Sequence, residues 1–455
     1  MPRLWDKPGA APLDERVLRF TAGEDHLLDA RLVPYDVRAS IAHAEMLGEA
    51  GLLAAADVAA IRAGLEALAA AHAAGEWRIE LADEDVHTAL ETRLTARIGE
   101  AGARLHLGRS RNDQVLAALR LYLRDAVAAL AGGARAAAAA LDGLAAREAA
   151  TALPGYTHFQ PAMPSSVPLW AGGFAAELRD DADGLAACSR RIERNPLGSA
   201  AGYGVPLLPV DRESTRRRLG FAAVHEPVTA VQLSRGKAEA QVLFEAALTL
   251  QDLGRLAADL VLWNSRELGW VELPEAMTTG SSIMPQKRNP DVFELVRGRG
   301  AAAQACLFEA LAVAAKLPSG YHRDLQLLKP PLFRGLDLAH ATLDVMTAAL
   351  AGVRFRPERI RLPPEIHATE EAYRLVLEEG LPFREAYRRV GARYLEGCDE
   401  GGGGAGATAA GAGGVPAGGG GVPAGAGGVP AGAGGVPVAA GVAPAGGTST
   451  PGEGS

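Results

Sequence analysis

Apolar residues recur every three to four positions along most of the chain, and strict alternation of apolar and polar residues is scarce. One predicted stripe consists of Leu116, Leu119, Leu123 and Leu130, and a second consists of Leu243, Ala246, Leu250, Leu253, Ala257 and Leu260. This spacing is typical of amphipathic helices, and the narrow second stripe is typical of a helix that faces a partner helix. Because aromatic residues make up only 5% of the chain, Ala and Leu must supply the close packing. The pattern predicts a mainly α fold with a central bundle of long helices, and an excess of apolar stripe favours oligomerisation.

Breaks in the pattern divide the 455-residue chain into four parts. We predict an N-terminal helical domain (1–105), a central long-helix bundle (106–350) and a small C-terminal helical domain (351–399) in which Gly380 and Pro382 separate two amphipathic helices. From 400 to 455 the composition changes to Gly, Ala, Val and Pro, with a Val-Pro pair every seven residues from Val415 to Pro437. Since this segment offers no face to pack, it is predicted to be a disordered tail.

Charge and cysteine content narrow the class of protein. The net charge is −8 and basic residues are interleaved with acidic ones, which disfavours a nucleic-acid partner or a polybasic membrane patch. Cys188, Cys306 and Cys398 lack the spacing of metal ligands or a redox pair, and their odd number fits a reducing compartment. The N-terminus lacks the apolar core of a signal peptide, and the most apolar stretch (127–146) contains Arg135 and Asp142. We therefore expect a soluble cytoplasmic protein that has no membrane partner.

The segment TTGSSIMPQKRNPDVFELVRG (278–298) interrupts the helical pattern with glycine, serine and proline. It is predicted to be a flexible loop that leads into a helix starting near Asp291, with Val292, Leu295 and Val296 facing inward. The free N–H groups of that helix start, together with Lys287, would favour an anion. The loop serines are therefore candidates for chemistry, although a surface turn with capping serines is the alternative for an isolated Ser-Ser pair.

Three further polar segments are interpreted as loops. The first, LHLGRSRNDQV, places Arg109 to Asp113 at a helix start, where side-chain donors suit a carboxylate. The second, LPGYTHFQPAMPSS, carries Thr157, His158 and Gln160 between prolines. The third, KLPSGYHRDLQLLKP, carries Tyr321, Gln326 and Lys329. Each segment alone has a simpler explanation, namely a capping sequence, a hydrogen-bonded loop histidine or solvated polar positions.

Together with NPLGSAAGYGVPLLPVDRE, these segments resemble the fumarase/aspartase superfamily, and within it the argininosuccinate lyase family. Gly280 to Pro290 reads G-S-S-x-x-P-x-K-x-N-P and looks like the superfamily signature, with Gln286 before Lys287 as in argininosuccinate lyases. The resemblance covers roughly 4–397. It departs from the family at Gly23, where many relatives have a serine that contacts substrate, and beyond Gly397, where relatives continue with folded sequence.

The resemblance implies cleavage of argininosuccinate to arginine and fumarate by anti β-elimination, without a cofactor or a metal. It also implies a homotetramer in which four chains form the central bundle and each site takes segments from three chains. Such sharing would explain why the polar segments lie so far apart in sequence.

Roles for individual residues follow from the same resemblance. Ser281 would be the base, and His158 the acid for the leaving nitrogen, with its ring held by Glu294. His87 resembles a further active-site histidine but could be structural. The expected substrate-binding residues around the reacting carboxylate are Ser110, Asn112, Thr157, Lys287 and Asn289, and those around the arginine half are Arg111, Tyr321, Gln326 and Lys329.

Two other functions remain open at this point. The first is a sister specificity, chiefly adenylosuccinate lyase or fumarase, but no additional phosphate-binding cluster of the kind that purine-nucleotide recognition requires is evident in the sequence. The second is a catalytically silent structural protein, as some lens crystallins related to this family are. The presence of Ser281, His158, Lys287 and Asn289 argues against it.

Overall fold

The computed structural model describes residues 14–400, and side chains as far as residue 394. The α-helices of this range are α1 Glu15–Ala22, α2 Asp25–Leu28, α3 Val33–Glu49, α4 Ala55–Ala73, α5 Val86–Ile98, α6 Glu100–Ala103, α7 Arg111–Arg147, α8 Val167–Ala187, α9 Ser189–Ile192, α10 Arg212–Leu219, α11 Val228–Leu233, α12 Lys237–Asn264, α13 Asp291–Ala315, α14 Lys329–Gly352, α15 Ala368–Glu379 and α16 Phe383–Glu400. Short strands form four two-stranded ladders: β1 Ala152–Thr157 with β2 Gln160–Ser166, β3 Arg194–Asn195 with β4 Ala223–Val224, β5 Val271–Glu272 with β8 Arg354–Phe355, and β6 Thr279–Gly280 with β7 Arg288–Asn289. The predicted mainly α fold is confirmed.

The centre of the fold is a bundle of the five long helices α7, α8, α12, α13 and α14, which pack along one another. Both predicted stripes are buried, with every member at most 3% exposed. Ala134, Ala137 and Ala138 of α7 are fully buried, because small side chains let neighbouring backbones approach closely. The bundle core is therefore built from Ala and Leu, as the composition predicts.

The N-terminal helices pack against the start of α7. Helix α3 contacts α4, α5 and α7, so the segment from α1 to α5 covers the Arg111 end of the bundle. This packing carries buried carboxylates, among them Asp29 and Asp36, toward the first turn of α7. The division of the chain into three helical domains stays a prediction.

Near the C-terminus, α15 and α16 are separated at Gly380, whose φ of 69° ends α15 in the left-handed conformation that glycine favours. Ala372, Ala386 and Val390 form a small buried cluster of their own. The predicted tail lies outside the described residues except for Glu400, which is the last residue of α16. Cys188 and Cys306 are free and buried, as expected for incidental thiols, and burial raises the pKa of Cys188 to about 12.

The prediction of a loop around His158 is wrong. Residues 152–166 form an antiparallel hairpin, with Thr157 paired to Gln160 and a two-residue turn of His158 and Phe159. The predicted inward orientation of Leu295 is also wrong, because that side chain is 62% exposed. Phe293 and Val296 supply the inward face of α13, which places Leu295 on the outside.

The predicted site residues lie at both ends of the bundle. At 1.5 Å per residue the 37 residues of α7 span roughly 55 Å, so the hairpin that follows α7 lies far from Arg111. Tyr156 of the hairpin packs near Trp270, and Trp263 packs between Trp170 and Phe355 at that remote end. None of the described helices is both long and apolar enough to cross a membrane.

Candidate active site

A cleft of about 160 Å³ opens at the Arg111 end of the bundle. Six of the predicted site residues line it, namely His87, Arg111, Asn112, Tyr321, Gln326 and Lys329. They come from α5, the first turn of α7, the segment that precedes α14, and the first residue of α14. Asp25, Glu84, Asp85, Arg235 and Arg323 also line the cleft. It therefore carries four cations, Arg111, Arg235, Arg323 and Lys329, beside three carboxylates.

The start of α7 is fixed by a capping box. The Ser110 hydroxyl accepts a hydrogen bond from the Asn112 backbone N–H (3.3 Å), and the Asp113 carboxylate accepts one from the Ser110 N–H (3.0 Å). Asp113 also accepts bonds from the backbone of Gly198 and Ala200. Burial raises the pKa of Asp113 to about 6 despite these bonds. Ser110 thus caps the helix, and the cap directs Arg111 and Asn112 into the cleft.

Arg111 is anchored on the cleft wall by two contacts. Its guanidinium donates to the Thr88 hydroxyl (2.6 Å) and lies 3.2 Å from the Asp85 carboxylate. Asp85 also caps α5 by accepting from the Thr88 N–H. Burial would raise the pKa of Asp85, but His87 and Arg111 outweigh it and the pKa lies below its usual value. The Asp85 carboxylate is therefore ionised at neutral pH.

His87 is held by a buried carboxylate that the sequence did not identify. Its Nδ1 lies 3.1 Å from Asp36 Oδ2, and the Gln114 amide donates to both Asp36 oxygens at 3.0 and 3.2 Å. Burial would raise the pKa of Asp36, but His87, Arg109 and Gln114 together hold it below its usual value. Because the Nδ1 contact fixes the ring, Nε2 is the nitrogen left over, and it is buried with no protein partner.

Lys329 lies at the floor of the cleft with its charge already balanced. Its ammonium is 2.7 Å from Asp29 and 3.0 Å from Asp25. Burial disfavours the charged lysine, yet the two carboxylates outweigh it and raise the pKa of Lys329. Burial raises the pKa of Asp25 to about 6. Lys329 thus organises an acidic floor, and its predicted role in binding the arginine half stays a prediction.

Gln326 closes one rim of the cleft. Its amide donates to the Thr21 and Ala22 carbonyls at 3.0 and 3.1 Å. The adjacent Gly23 has φ 53° and ψ −131°, a region that side chains rarely adopt, so glycine suits this turn. The Gln326 amide nitrogen is the nearest atom to a side chain at position 23, at 3.7 Å.

Arg235 is a second residue that sequence reasoning missed. It is 5% exposed, lines the cleft, and its Nε lies 3.8 Å from Glu239. Its Nε and Nη1 are buried without a hydrogen-bond acceptor. A buried guanidinium with unused donors is a strong receptor for a carboxylate. The signal in the sequence was weak, because LSRGKAE reads as a helix start with solvated charges.

Thr157 and His158 lie at the tip of the β1–β2 hairpin and are exposed. His158 and Phe159 have φ values of 55° and 58°, so both adopt the left-handed conformation required by a two-residue turn. Asn and Gly normally occupy such turns, and this conformation costs an ordinary side chain roughly 1–2 kcal/mol. Phe159 is in addition 82% exposed. A strained, exposed aromatic tip is more favourable if another surface covers it.

Ser281 lies in the turn between β6 and β7. Its hydroxyl oxygen accepts hydrogen bonds from the backbone N–H groups of Met284 (3.2 Å) and Ile283 (3.4 Å). Lys287 is exposed and Asn289 is half-buried. Glu294, in the first turn of α13, is 3.9 Å from Arg297. The loop therefore presents a hydroxyl already surrounded by donors.

One chain does not bring all the predicted residues together. The hairpin follows the far end of α7, and the Ser281 turn precedes α13, whose 25 residues span roughly 37 Å before the chain returns to Tyr321. Within the described part of the chain, no hydrogen bond joins His158 to Glu294. Also within that part, no group of three or more His, Cys, Asp or Glu side chains is arranged to hold a metal ion.

Comparison with known proteins identifies relatives along most of the chain. The family described as Lyase matches residues 13–306. The chain is 51% identical to an argininosuccinate lyase of Sorangium cellulosum over 392 residues, which is 86% of this chain and 90% of that protein. It is 42% identical to an argininosuccinate lyase of Stenotrophomonas maltophilia over 88% of this chain and 92% of that protein.

Solved structures show the same fold. An EDDS lyase variant with bound fumarate superposes with a TM-score of 0.73 at 26% identity, covering 86% of this chain and 78% of that one. A class II fumarase from Schistosoma mansoni superposes with a TM-score of 0.69 at 18% identity, covering 85% of this chain and 91% of that one.

Proposed function

The chain belongs to the argininosuccinate lyase family of the fumarase/aspartase superfamily, and we propose that it cleaves argininosuccinate to arginine and fumarate at a site completed by other copies of itself. The reaction is reversible and belongs to arginine biosynthesis. The observation that carries the proposal is the cleft at the start of α7, where four cations and three carboxylates converge on residues of the family pattern.

The mixed charge of the cleft suits the arginine half of the substrate. An α-amino acid end carries an ammonium and a carboxylate, and the guanidinium adds a second cation. Asp25, Glu84 and Asp85 each pair with a cation of the cleft wall and supply the negative charge that would face the substrate's cations, and Arg235 has unused donors for the carboxylate. The cleft of one chain is smaller than the roughly 300–1,000 Å³ that encloses a whole ligand of this size, which leaves the succinate half to be bound elsewhere.

The elimination removes a proton from the succinate carbon next to a carboxylate and breaks the bond from the neighbouring carbon to the guanidinium nitrogen. The electron pair of the C–H bond becomes the double bond of fumarate, and the nitrogen takes a proton as it leaves. Ser281 is the proposed base, since two backbone N–H groups point at its oxygen and would stabilise the oxyanion. Lys287 and Asn289, with Ser110, Asn112 and Thr157 opposite, are the proposed receptors of the charge that develops on the substrate carboxylate.

His158 is the proposed acid for the leaving nitrogen. A two-residue turn built from His and Phe is unfavourable in isolation, so its presence at the hairpin tip supports a role for that side chain. Glu294 is proposed to hold the imidazole from another chain. His87, fixed by Asp36, is proposed to orient the arginine half through Nε2.

We further propose a homotetramer that acts in the cytoplasm. The outer faces of the bundle carry large apolar side chains, including Leu169, Phe244, Leu262, Leu295, Phe308 and Leu311, all between 42 and 74% exposed. Apolar area on long helices favours burial against other copies. Antiparallel packing of bundles would bring the hairpin and the Ser281 turn of neighbours to the cleft of a third chain.

The test is an assay of fumarate absorbance with argininosuccinate, adenylosuccinate and malate supplied separately to the full chain, to Ser281→Ala and to Ser282→Ala. Turnover of argininosuccinate alone is expected. Ser281→Ala should lose about 10²–10⁴ in rate, whereas the neighbouring Ser282→Ala serves as the matched control and should lose far less. The proposal would be overturned if the protein produced fumarate faster from adenylosuccinate or malate than from argininosuccinate. An active Ser281→Ala tetramer would overturn it as well.

A further inference from the structure

A second cavity of about 200 Å³ is lined by Ser234 and Lys237, on either side in sequence of Arg235, and it shares no lining residue with the cleft. Five cationic side chains line it: Arg120, Arg190, Arg191, Arg194 and Lys237. None of the residues that line it is acidic. The proposed reaction uses none of these side chains.

Arg120 forms the floor of this cavity and is only 2% exposed. Its guanidinium donates to His225 Nδ1 (2.9 Å), to the Ser234 hydroxyl (2.9 Å) and to the Arg194 carbonyl. Its Nε is buried with no hydrogen-bond partner. Desolvation, together with the charges of Arg235 and Arg194, lowers the pKa of Arg120 to about 9 against the opposing effect of Glu239. The floor thus holds a guanidinium whose charge is incompletely compensated.

The excess of positive charge extends to the neighbouring residues. Arg120 and Arg235 are both buried, and Glu239, itself buried, is the carboxylate close to the pair. Glu239 Oε1 has no hydrogen-bond partner and lies 3.8 Å from Arg235 Nε, so even this compensation is weak. An isolated buried charge is costly, and a bound counter-ion lowers that cost.

The remaining lining is also arranged for an anion. His225 Nδ1 accepts from Arg120, so the ring is neutral and carries its proton on Nε2, where it is a donor. The 28-residue helix α12 starts at this cavity, and its N-cap, Gly236, has no side chain to cap the first N–H groups. A helix N-terminus of this length adds a favourable partial charge.

We propose that this cavity binds a multivalent oxyanion, either a phosphate group or a dicarboxylate, at a site separate from the cleft. Arg120, Ser234 and the start of α12 form its floor. Arg190, Arg194 and Lys237 form its exposed rim. The proposal does not depend on the reaction catalysed in the cleft.

The experiment measures the thermal unfolding of the full chain during separate titrations with inorganic phosphate and with fumarate, at an ionic strength held constant with chloride. At least one anion is expected to raise the melting temperature in a saturable way. Fumarate is also a product of the proposed reaction in the cleft, so only the part of its effect that is lost in the rim variant described next is assigned to this cavity. The double variant Arg190→Gln/Arg194→Gln should bind that anion about tenfold or more weakly, because two charge-assisted contacts are removed from the rim. Both side chains are exposed, so the variant should fold.

The matched control is Arg135→Gln/Arg255→Gln, which removes the same charge from exposed helix positions away from the cavity. It should bind as the parent does. A response to phosphate that the rim variant loses identifies a phosphate group, and a response to fumarate that it loses identifies a dicarboxylate. If neither anion acts beyond chloride, or if the rim variant retains the full response, the site does not exist.

Discussion

Replacing Asp36 with asparagine tests whether His87 is positioned by the buried carboxylate. Asp36 is fully buried, and its oxygens accept from His87 and from the Gln114 amide. A side-chain amide has one acceptor oxygen, so the new side chain must turn a donor toward either His87 or Gln114. Arg109, which reaches Asp36 through the Ser40 hydroxyl, also loses its nearby charge. We expect a loss of about 3–5 kcal/mol in the free energy of unfolding, as for a buried ion pair that loses one partner.

The loss of stability should depend on pH in a defined direction. The folded-state pKa of Asp36 lies below its usual value of 3.8, so its carboxylate contributes stability above that pH. The contribution is lost as the pH falls through the folded-state pKa. The difference between parent and Asp36→Asn should therefore be full at pH 7 and shrink below about pH 4.

The loss of activity should arise through His87. Without the carboxylate the ring can adopt the other tautomer, and kcat/KM for argininosuccinate should fall on the order of 10²-fold. The assay is a double-mutant cycle with His87→Gln. Activity is measured for each variant by fumarate absorbance, and stability by denaturant unfolding. In the His87→Gln background, Asp36→Asn should cause little further loss of activity. It should still cause most of the loss in the free energy of unfolding that it causes in the parent. An undiminished further loss of activity would refute the positioning role.

Two further predictions concern Asp181 and Arg235, which are buried, ionisable and outside the network of Asp36, His87 and Gln114. Burial, with Asp252, Asp180, Glu177 and Glu245 nearby, raises the pKa of Asp181 to about 7, and its Oδ2 has no partner. Because folding disfavours the ionised form of Asp181, Asp181→Asn should raise the melting temperature at pH 8 and leave it unchanged below about pH 4. A lower melting temperature at pH 8 would instead reveal a cation that pairs with Asp181 in the assembly. Arg235→Gln should raise the KM for argininosuccinate about tenfold or more, because its guanidinium has unsatisfied donors for the substrate carboxylate; an unchanged KM would remove Arg235 from the substrate site.

The sequence predicted the bundle well because helical periodicity is a local property. Each apolar stripe spans several turns, so Leu116 to Leu130 and Leu243 to Leu260 could be assigned to buried faces without knowledge of their partners. The phase of a single turn is less certain, and Leu295 was placed inward although Phe293 and Val296 take that side of α13.

The hairpin was missed because its sequence hides the strand signal. Pro154, Pro161 and Pro164 interrupt β1 and β2, and the turn consists of His158 and Phe159 where Asn and Gly would have indicated it. The conformation is thus set by packing at the end of the bundle, which a local pattern does not report.

The candidate site was predicted in part. Motifs identified six residues of the cleft, but Asp36 and Arg235 were overlooked because a single charge in a helical segment usually lies on a solvated face. The importance of Asp36 follows from burial, which depends on contacts between α3, α5 and α7 that are distant in sequence, and Arg235 is buried near Leu325, which is also distant in sequence. The separation of His158 and Ser281 from the cleft likewise follows from helix length and assembly.

The most direct test of a site shared between chains is a subunit-mixing experiment. The two inactive parents are His158→Asn, which carries its lesion in the hairpin and keeps a residue that tolerates the left-handed turn, and Asn112→Ala, which carries its lesion in the cleft. Each is expected to be inactive alone. The two variants are unfolded and refolded together in equal amounts, and mixed tetramers are verified by mass. About a quarter of the activity of the unsubstituted protein should return. Each site takes its cleft from one chain and its hairpin from another, and each of the two is intact in half of the cases. Mixed tetramers that remain as inactive as either parent would contradict the account.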